Sequence, residues 1–492
     1  MKKLLLSLGL ASITMNAQVG ELDTTFDVDG KLTINVGVYD AGNSVAIQSD
    51  GKIVIVGTSN LSDFDVMRLN PDGSFDTSFD ADGKVNTNIA GSDTAYAVAI
   101  QPDGKILVAG YSTNAGNWNF TIVRYNTNGS LDTDFDLDGK TITDVGSTED
   151  KAFSLAIQND GKIVLAGKSG IGSNQNFALV RYNDNGSIDS SFGTNGIVTT
   201  DFGLNQEDIA YSVAIQSDGK IVAVGKSNGD FGIARYNSSG ILDNMFDNDG
   251  KVITNIGDSQ DTAYSIAVQN DDKLLVAGYA LGKFTLNRYN NDGALDPSFD
   301  TDGITTAFDG VARSIKLQSD GKIVVGGLSA DKLTVARYNL DGSLDTTFSE
   351  DGKNGIFFAS TYRSYCYGVA IQQDNGIVAV GYAEFAGPNN DFAVARFNGN
   401  PPLGVPNHSE TLFSIYPNPA QDQITIDCGN LANVVGYHIE IVNTLGQVVF
   451  NQPMNTQQYS VPLNTWSGTG VYFVKIYDAS NNLLNTKKII LQ

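Results

Sequence analysis

One phrase recurs seven times in this chain of 492 residues and restricts its fold more than any other feature. A full copy reads approximately "DxAYSVAIQxDGKIVVAG" and continues, after a variable loop, as "FxxxRYNxxGxLDxxFDxDGK". The Arg of "RYN" marks the copies: Arg68, Arg124, Arg181, Arg235, Arg288, Arg337 and Arg396. Neighbouring copies are 49 (Arg288 to Arg337) to 59 (Arg337 to Arg396) residues apart. A repeat of this length predicts a stack or ring of equivalent units that share their cores.

Each copy predicts about four short strands. Runs such as the "IVVG" of Lys322–Gly326 are continuously apolar and bounded by turns, which is typical of strands buried on both faces. The "DGK" between the first two strands is a tight turn whose Gly takes a positive φ, and Asp272 and Asn375 tolerate the same conformation. Four strands in about fifty residues make one β-propeller blade. We therefore expect an all-β, seven-bladed propeller over residues 18–398, with an open β-solenoid as the alternative.

The N-terminal segment supplies a piece that the last copy lacks. An "LDxxF" element follows every "RYN" except the one at Arg396, and an extra "LDTTF" begins at Leu22. A ring must close, because an open sheet edge invites pairing with other chains. We expect Leu22 to about Val36 to complete the last blade, with Asp23 pairing with Arg396.

The two ends of the chain predict export. Residues 1–17 have a basic start and an apolar run too short to span a bilayer, which indicates a signal peptide; no later stretch is long enough to span. A Pro/Gly-rich linker is expected over 399–410. Residues 411–492 alternate as short strands and predict a small β-sandwich, for which an ordinary carbohydrate-binding module is the alternative reading.

Both parts resemble known families. The repeat over about 20–398 resembles the delta-60 repeat of bacterial extracellular proteins, through "QxDGKIVVAG" and "RYNxxGxLDxxF". The resemblance implies a propeller in an extracellular setting, with no agreed activity. The end of the chain resembles the type A sorting domain of the type IX secretion system, through Tyr416, Pro417, Asn418, Pro419, Gly446, Gly470 and Tyr472. That implies contact with this machinery, passage across a Gram-negative outer membrane, and release or attachment at the cell surface.

Composition narrows the function. The chain has 31 Lys and Arg and 55 Asp and Glu, which gives a net charge of −24. This charge argues against binding to nucleic acid or to anionic membranes, and permits binding of cations, basic partners and neutral glycans. His408 and His438 lie outside the propeller, which excludes a Ser-His-Asp arrangement or a His-ligated metal there. Cys366 and Cys428 fall in different domains and are expected to be unpaired and buried.

Candidate ligand-binding residues fall into two groups. An acid precedes the inner strand in five copies and would ring one mouth of the channel, where it could hold a cationic ligand; turn capping is the alternative. These acids are Asp40, Asp93, Asp150, Asp208 and Asp261. Aromatic residues of the variable loops offer surfaces for a sugar or a protein: Tyr111, Trp118, Tyr279 and Tyr382.

The repeated charges read as scaffold. The Arg of "RYN" and the Asp of "LDxxF" are expected to form a buried pair in each blade. The "DxDG" turns permit Ca²⁺, although Asp side chains that cap their own turns explain them equally well; the residues are Asp27, Asp29, Asp80, Asp82, Asp136 and Asp138. No other cofactor is expected.

Taken together, these features predict a monomeric, non-enzymatic binding or adhesion protein at the surface of a Gram-negative bacterium or outside it. The ligand is expected on the variable-loop face. The alternative is a carbohydrate-active enzyme that uses carboxylates at the channel mouth.

Overall fold

The computed structural model describes two compact units, Met1–Pro401 and Pro402–Gln492. The described residues are 18–60, 62–172, 174–203, 207–257, 260–358, 363–385, 389–399, 414–417, 419–427, 437–443, 447–454, 456, 458–463, 470–477 and 483–491. The predicted signal peptide and residues 400–413 lie outside them, so the signal peptide and the predicted linker boundaries stay predictions. Among the described residues, no helix is long and apolar enough to cross a membrane.

The first unit contains seven four-stranded antiparallel sheets, the blades. Strands are numbered in chain order. The inner strands are β2 (Asp40–Ile47), β6 (Asp93–Ile100), β10 (Lys151–Ile157), β14 (Asp208–Ile215), β18 (Thr262–Val268), β22 (Val311–Leu317) and β26 (Ser364–Ile371). The second strands are β3 (Ile53–Ser59), β7 (Ile106–Asn114), β11 (Ile163–Ile171), β15 (Ile221–Ser227), β19 (Leu274–Ala280), β23 (Ile323–Ser329) and β27 (Ile377–Phe385).

Two further strands complete each blade. The third strands are β4 (Asp63–Leu69), β8 (Asn117–Tyr125), β12 (Asn174–Tyr182), β16 (Asp230–Tyr236), β20 (Lys283–Tyr289), β24 (Lys332–Tyr338) and β28 (Asn389–Phe397). The outer strands are β5 (Lys84–Thr87), β9 (Lys140–Thr143), β13 (Ile197–Thr200), β17 (Lys251–Thr254), β21 (Ile304–Asp309), β25 (Lys353–Ile356) and, from the N-terminus, β1 (Lys31–Ile34). Each inner strand contacts the next, and β26 contacts β2, so the ring of seven blades is closed.

The N-terminal segment completes the seventh blade as expected. Strand β1 pairs with β28 in the order β26-β27-β28-β1, with Ile34 opposite Phe392. The Asp23 N–H donates to the Arg396 carbonyl (2.8 Å), and the Asp23 carboxylate lies 2.6 Å from the Arg396 guanidinium. Hydrogen bonds of the backbone therefore join both ends of the propeller, and β28 is paired on both of its sides, as the third strand of every other blade is.

The hydrophobic core lies between neighbouring blades. One cluster joins Leu107 and Phe120 of the second blade to Ile163 and Leu165 of the third, and equivalent clusters occur around the ring. The second strands are buried on both faces because a blade packs against them on each side; β3 is buried along its whole length. This explains the continuous apolar runs in the sequence.

A repeated ion pair supports each blade, as the sequence predicted. In the second blade, Arg124 Nε lies 2.6 Å from Asp132 Oδ2, and Lys105 Nζ lies 2.9 Å from the same oxygen. The Arg124 guanidinium also stacks 4.7 Å from the centroid of Phe135 and donates to the carbonyl of Asp184 in the next blade. The Arg–Asp pair is repeated in five further blades, and the Lys contact in three of them. These charges are satisfied within the scaffold.

The second unit contains two sheets that share one core. One sheet holds β29 (Ser414–Tyr416), β30 (Gln423–Asp427) and β33 (Gln458–Pro462); the other holds β31 (His438–Asn443), β32 (Val448–Pro453), β34 (Gly470–Tyr477) and β35 (Leu483–Leu491). Side chains of both sheets, including Ile424 and Val474, form the core, and Tyr472 of the sorting motif packs in it. Tyr416, Pro417, Pro419 and Gly470 lie among the described residues, whereas Asn418 and Gly446 lie outside them.

The cysteines are described in part. Cys366 is buried and free, as expected, and burial raises the pKa of its thiol to about 12. Cys428 lies outside the described residues.

Candidate ligand site in the central channel

Every inner strand contains a β-bulge at the same position. The pairing between inner and second strand skips one residue in each blade, and that residue lines the central channel together with the residue after it. A bulge re-aims a side chain, so two successive residues face the axis here. The seven bulged residues are Asn43, Tyr96, Phe153, Tyr211, Tyr264, Arg313 and Tyr367.

A glycine on the second strand makes room for each bulge. A Cβ on Gly110 would lie 1.9 Å from the carbonyl oxygen of Thr94 on the facing inner strand, and the equivalent glycines of the other blades meet the same obstacle. The final Gly of "KIVVAG" is therefore required by the close approach of the two backbones. This is the sequence signal that could have located the bulge.

The channel holds a cavity of about 790 Å³. This volume is within the range of about 300–1,000 Å³ that is typical of small-molecule sites. Its walls carry the bulged residues, the small residues that follow them, and side chains of the second strands. Among the described residues, this is the place where side chains of all seven blades converge.

Aromatic rings form a nearly continuous belt around the cavity. Ring centroids are 5.2 Å apart for Tyr96 and Phe153, 5.5 Å for Phe153 and Tyr211, and 5.2 Å for Tyr211 and Tyr264. The Arg313 guanidinium continues the belt, 3.8 Å above the Tyr264 ring. Burial raises the pKa of Tyr211 to about 12, so its phenol is neutral and can donate a hydrogen bond at neutral pH.

Serine hydroxyls form a second layer. Ser154 Oγ accepts a hydrogen bond from the Val213 N–H of the next blade (3.2 Å), and Ser212, Ser265 and Ser314 repeat this bond at 3.1 to 3.4 Å. These bonds link neighbouring inner strands. Because each oxygen acts as the acceptor, its O–H remains available to a ligand in the cavity.

The charges around the cavity are mainly positive. Lys151, Lys168, Arg313 and Lys316 line it, and Asp40 is the acid among its described lining residues. Lys151 Nζ lies 4.5 Å from the Trp118 ring and 4.8 Å from the Tyr111 ring. Burial, together with the charge of Lys168, lowers the pKa of Lys151.

The acids predicted to ring the mouth are buried, and of the five only Asp40 lines the cavity. The side chains of Asp40, Asp93, Asp150, Asp208 and Asp261 are buried, with 0% exposure. Each accepts hydrogen bonds from backbone N–H groups of the loop before its strand, as Asp93 does from Ile89 at 2.7 Å. These acids therefore cap the turns that precede their strands, which is the alternative that the sequence also permitted. The expectation of an exposed acidic ring is corrected, because loop capping withdraws these carboxylates from solvent.

Three of the four predicted aromatics belong to this site. Tyr111 and Tyr382 line the cavity from β7 and β27, and Trp118 packs edge-on against Tyr111 with centroids 5.0 Å apart. Tyr279 occupies the equivalent position of β19 but is not among the lining residues. The bulged aromatics were missed because a residue repeated in most blades reads as scaffold in a sequence.

The proposed calcium turns are closed by their own backbone. Asp29, Asp82 and Asp138 accept hydrogen bonds from the N–H two residues onward at 2.9 to 3.0 Å, and their partners Asp27, Asp80 and Asp136 are exposed with positive φ. In the described part of the chain, no group of three or more His, Cys, Asp or Glu residues is placed to hold a metal ion. These turns therefore do not offer the six to eight oxygens that Ca²⁺ prefers, and calcium binding stays a prediction.

Two protein-family models match the chain. The first, described as a domain of unknown function (DUF5122) β-propeller, matches residues 48–79, 101–135, 158–192, 216–246, 269–299, 318–348 and 372–400. The second, described as a secretion system C-terminal sorting domain, matches residues 414–492. The chain thus carries a β-propeller repeat domain and a type IX sorting domain, which confirms both resemblances. The sorting domain indicates interaction with the secretion machinery and export to the cell surface or extracellular space of Bacteroidetes.

Solved structures with a comparable fold share little sequence with the chain. PorZ, a surface component of the type IX secretion system of Porphyromonas gingivalis, is 13% identical with a TM-score of 0.43, and the match covers 94% of this chain and 60% of PorZ. The polysaccharide lyase Uly1 is 10% identical with a TM-score of 0.43, over 79% of this chain and 98% of the lyase. No curated protein sequence matches the chain. Neighbours this distant carry no argument about ligand or activity.

Proposed function

We propose that this protein is a secreted or cell-surface binding protein without catalytic activity, and that its ligand, a glycan or a protein, enters the central channel. The observation that carries the proposal is the set of seven bulged residues. They occupy one structural position and line one cavity, yet they are Asn, Phe, Arg or Tyr while the surrounding scaffold repeats. A position that served the scaffold alone would not need to carry an Arg in one blade and an Asn in another.

The loops beside the channel extend this variable surface. Tyr111 and Tyr382 follow the glycine of their second strands, and the hairpins beyond them differ in length between blades. Binding residues are commonly carried by such loops on a rigid scaffold. A ligand that filled the cavity would contact these aromatics as well as the bulged residues.

The alternative, a carbohydrate-active enzyme, has less support. Glycoside hydrolysis generally needs two carboxyl groups on either side of the scissile bond. Of the acids expected at the mouth, Asp40 borders the cavity, and the other four lie behind their loops. One carboxyl group does not make such a pair, so binding is the function that the geometry supports better.

The test is a glycan and protein array probed with the purified full chain, with and without Ca²⁺. We expect retention of a ligand, and a loss of about tenfold in affinity for Tyr211→Ala, since an aromatic contact contributes about 0.5–1.5 kcal/mol in addition to the area that it buries. Tyr416→Ala, in the second unit, is the matched control and should bind like the wild type. Turnover of a retained glycan would contradict a non-enzymatic function, and an empty array would contradict binding.

A further inference from the structure

We propose that the ligand is an acidic saccharide, whose carboxylate or sulfate group pairs with Arg313 and Lys316 while a sugar ring lies against the tyrosine belt. This inference rests on the binding function proposed above. It reverses the sign expected at the channel mouth, where five acids were expected to hold a cationic ligand in a chain of net charge −24.

The local charge of the cavity opposes the charge of the whole chain. Four cationic side chains line the cavity and one carboxylate borders it, although acids outnumber bases 55 to 31 in the sequence. That carboxylate, Asp40, is itself buried and accepts hydrogen bonds from Val36 and Gly37. A concave site lined by one sign of charge concentrates ligands of the opposite sign.

Arg313 is held in place without an internal counter-ion. Its guanidinium carbon lies 3.8 Å from the Tyr264 ring centroid and 5.8 Å from that of Tyr367, so two aromatic side chains flank it. In the described part of the chain it has no carboxylate within ion-pair distance. Stacking uses the face of a guanidinium and leaves its N–H donors free, and those donors match the two oxygens of a carboxylate or sulfate.

Lys316 is a single exception to a repeated position. The other six inner strands carry alanine there, at Ala46, Ala99, Ala156, Ala214, Ala267 and Ala370. The Lys316 side chain reaches solvent along the channel but is enclosed by the inner strands, and this enclosure lowers the pKa of its ammonium. No neighbouring charge offsets it within the described structure. A repeat that offers alanine six times can accommodate alanine here, so the lysine adds something the scaffold does not need.

Two further cations stand in the third blade. Lys168 already has partners, because it lies 3.5 Å from Glu149 and donates to Gln175 at 3.0 Å. Lys151 instead lies over Tyr111 and Trp118, and no carboxylate is within ion-pair distance of it in the described structure. Positive charge therefore comes from two blades, the third and the sixth, and suits a ligand with more than one acidic group.

The remaining lining groups favour a sugar. Neutral tyrosine phenols and the serine O–H groups offer several donors and acceptors at fixed places, which suits a ring that carries hydroxyl groups. Apolar C–H faces of the same ring would pack on Phe153 and the tyrosines. The cavity of about 790 Å³ is large enough for a short acidic oligosaccharide end.

The experiment measures binding by calorimetry with the full chain. The probes are oligogalacturonate for a uronate, chondroitin sulfate for a sulfated uronate, neutral maltooligosaccharide, and oligoglutamate as an acidic peptide. Lys316→Ala and Arg313→Tyr introduce the residues that other blades carry at these positions, so the fold should be retained, and circular dichroism and the unfolding midpoint check this. Lys31→Ala, on the outer strand β1, is the control with the same change of charge.

We expect an acidic saccharide to bind more weakly as salt rises, and each channel variant to lose at least about tenfold in affinity, the equivalent of about 1.4 kcal/mol. Lys31→Ala should change affinity less than twofold. Unchanged binding in both channel variants, preference for the neutral probe, or equal binding of oligoglutamate would overturn the acidic-saccharide assignment. A neutral glycan or a protein bound in a Tyr211-dependent way would leave the binding function standing while this inference fails.

Discussion

The Arg that repeats in every blade and the Arg that occurs in one blade differ in whether a carboxylate of the chain pairs with them. Arg124, one of seven, is buried against Asp132 at 2.6 Å and stacks on Phe135. Arg313 occurs in one blade and stacks on Tyr264 with no carboxylate within ion-pair distance in the described structure. The repeated charges are neutralised within the scaffold and hold the blades, whereas Arg313 is the unrepeated cation that we propose pairs with a group from outside the chain. A cation that lacks an internal partner is therefore the better guide to a ligand.

Removing the ring's closing piece should have the largest effect. Deletion of residues 18–36 takes away β1 and the partner of Arg396, so the seventh blade keeps three strands with an open edge. We expect a loss of the cooperative thermal transition, or a shift of at least about 10 °C, on the scale of several kcal/mol. Circular dichroism and limited proteolysis measure it.

Removing the C-terminal sorting domain should have a much smaller effect on the stability of the propeller. Deletion of residues 411–492 takes away the sorting domain and should leave the transition of the propeller within about 2 °C, while the protein is no longer exported. A propeller that unfolds equally in both deletions would contradict the closing role of the N-terminal segment.

Breaking one repeated pair should cost less than opening the ring. Asp132→Ala leaves Arg124 buried without its carboxylate and also removes the contact of Lys105, and such a loss typically costs about 3–5 kcal/mol. Asp138→Ala, an exposed turn acid, should cost less than about 1 kcal/mol. The urea midpoint distinguishes them. Similar midpoints for the two variants would show that the repeated pair does not support the blade.

Acid should unfold the propeller through the same pairs. Burial alone would raise the pKa of Asp132 and Asp345, but hydrogen bonds and neighbouring Lys and Arg outweigh it, so both pKa values lie below the ordinary 3.8. An acid with a lowered pKa stabilises the folded state when ionised, and this contribution is lost as the pH falls below about 4. Tryptophan fluorescence between pH 7 and 2 should show it.

The Asp132→Ala variant tests whether the repeated pairs cause this acid unfolding. Asp132→Ala should have a shallower dependence between pH 4 and 2, because one of the responsible carboxyl groups is gone. The pKa of Asp40 and Asp208 is raised by burial, so these acids respond with the opposite sign and gain stability on protonation. A wild-type stability that stays constant down to pH 2 would contradict the proposed role of the pairs.

Removing an unpaired cation should have the smallest effect on stability. Without ligand, Lys316→Ala should leave the urea midpoint unchanged or raise the free energy of unfolding by less than about 1 kcal/mol, because an enclosed ammonium with a lowered pKa does not favour the folded state. Lys31→Ala should also stay within about 0.5 kcal/mol. A large destabilisation by Lys316→Ala would show that this residue supports the fold, and would contradict its assignment to the ligand site.

Much of the fold followed from the pattern of the sequence. The phrase around Arg124 gave the strands and the count of blades, and the missing "LDxxF" after Arg396 gave the closing strand and its ion pair with Asp23. The strands follow from short-range periodicity, and the number of blades and the closing strand follow from counting the repeated motifs. Both kinds of information can be read directly from a linear sequence. The site was predicted less well. Asp93 was placed on the channel mouth, but the hydrogen bond from Ile89 withdraws it into its loop.

The sequence by itself determined a closed, seven-bladed ring followed by a sorting domain. Repeats with buried strands, together with an N-terminal segment that supplies what the last repeat lacks, permit few other arrangements. Only the tertiary structure decided which side chains face the axis. The bulge in each inner strand shifts the alternation of the strand, so Tyr211 and Ser212 both point into the channel. The same shift brings Arg313 and Lys316 to a cavity whose charge is opposite to that of the chain, and no composition total reveals a local sign of that kind.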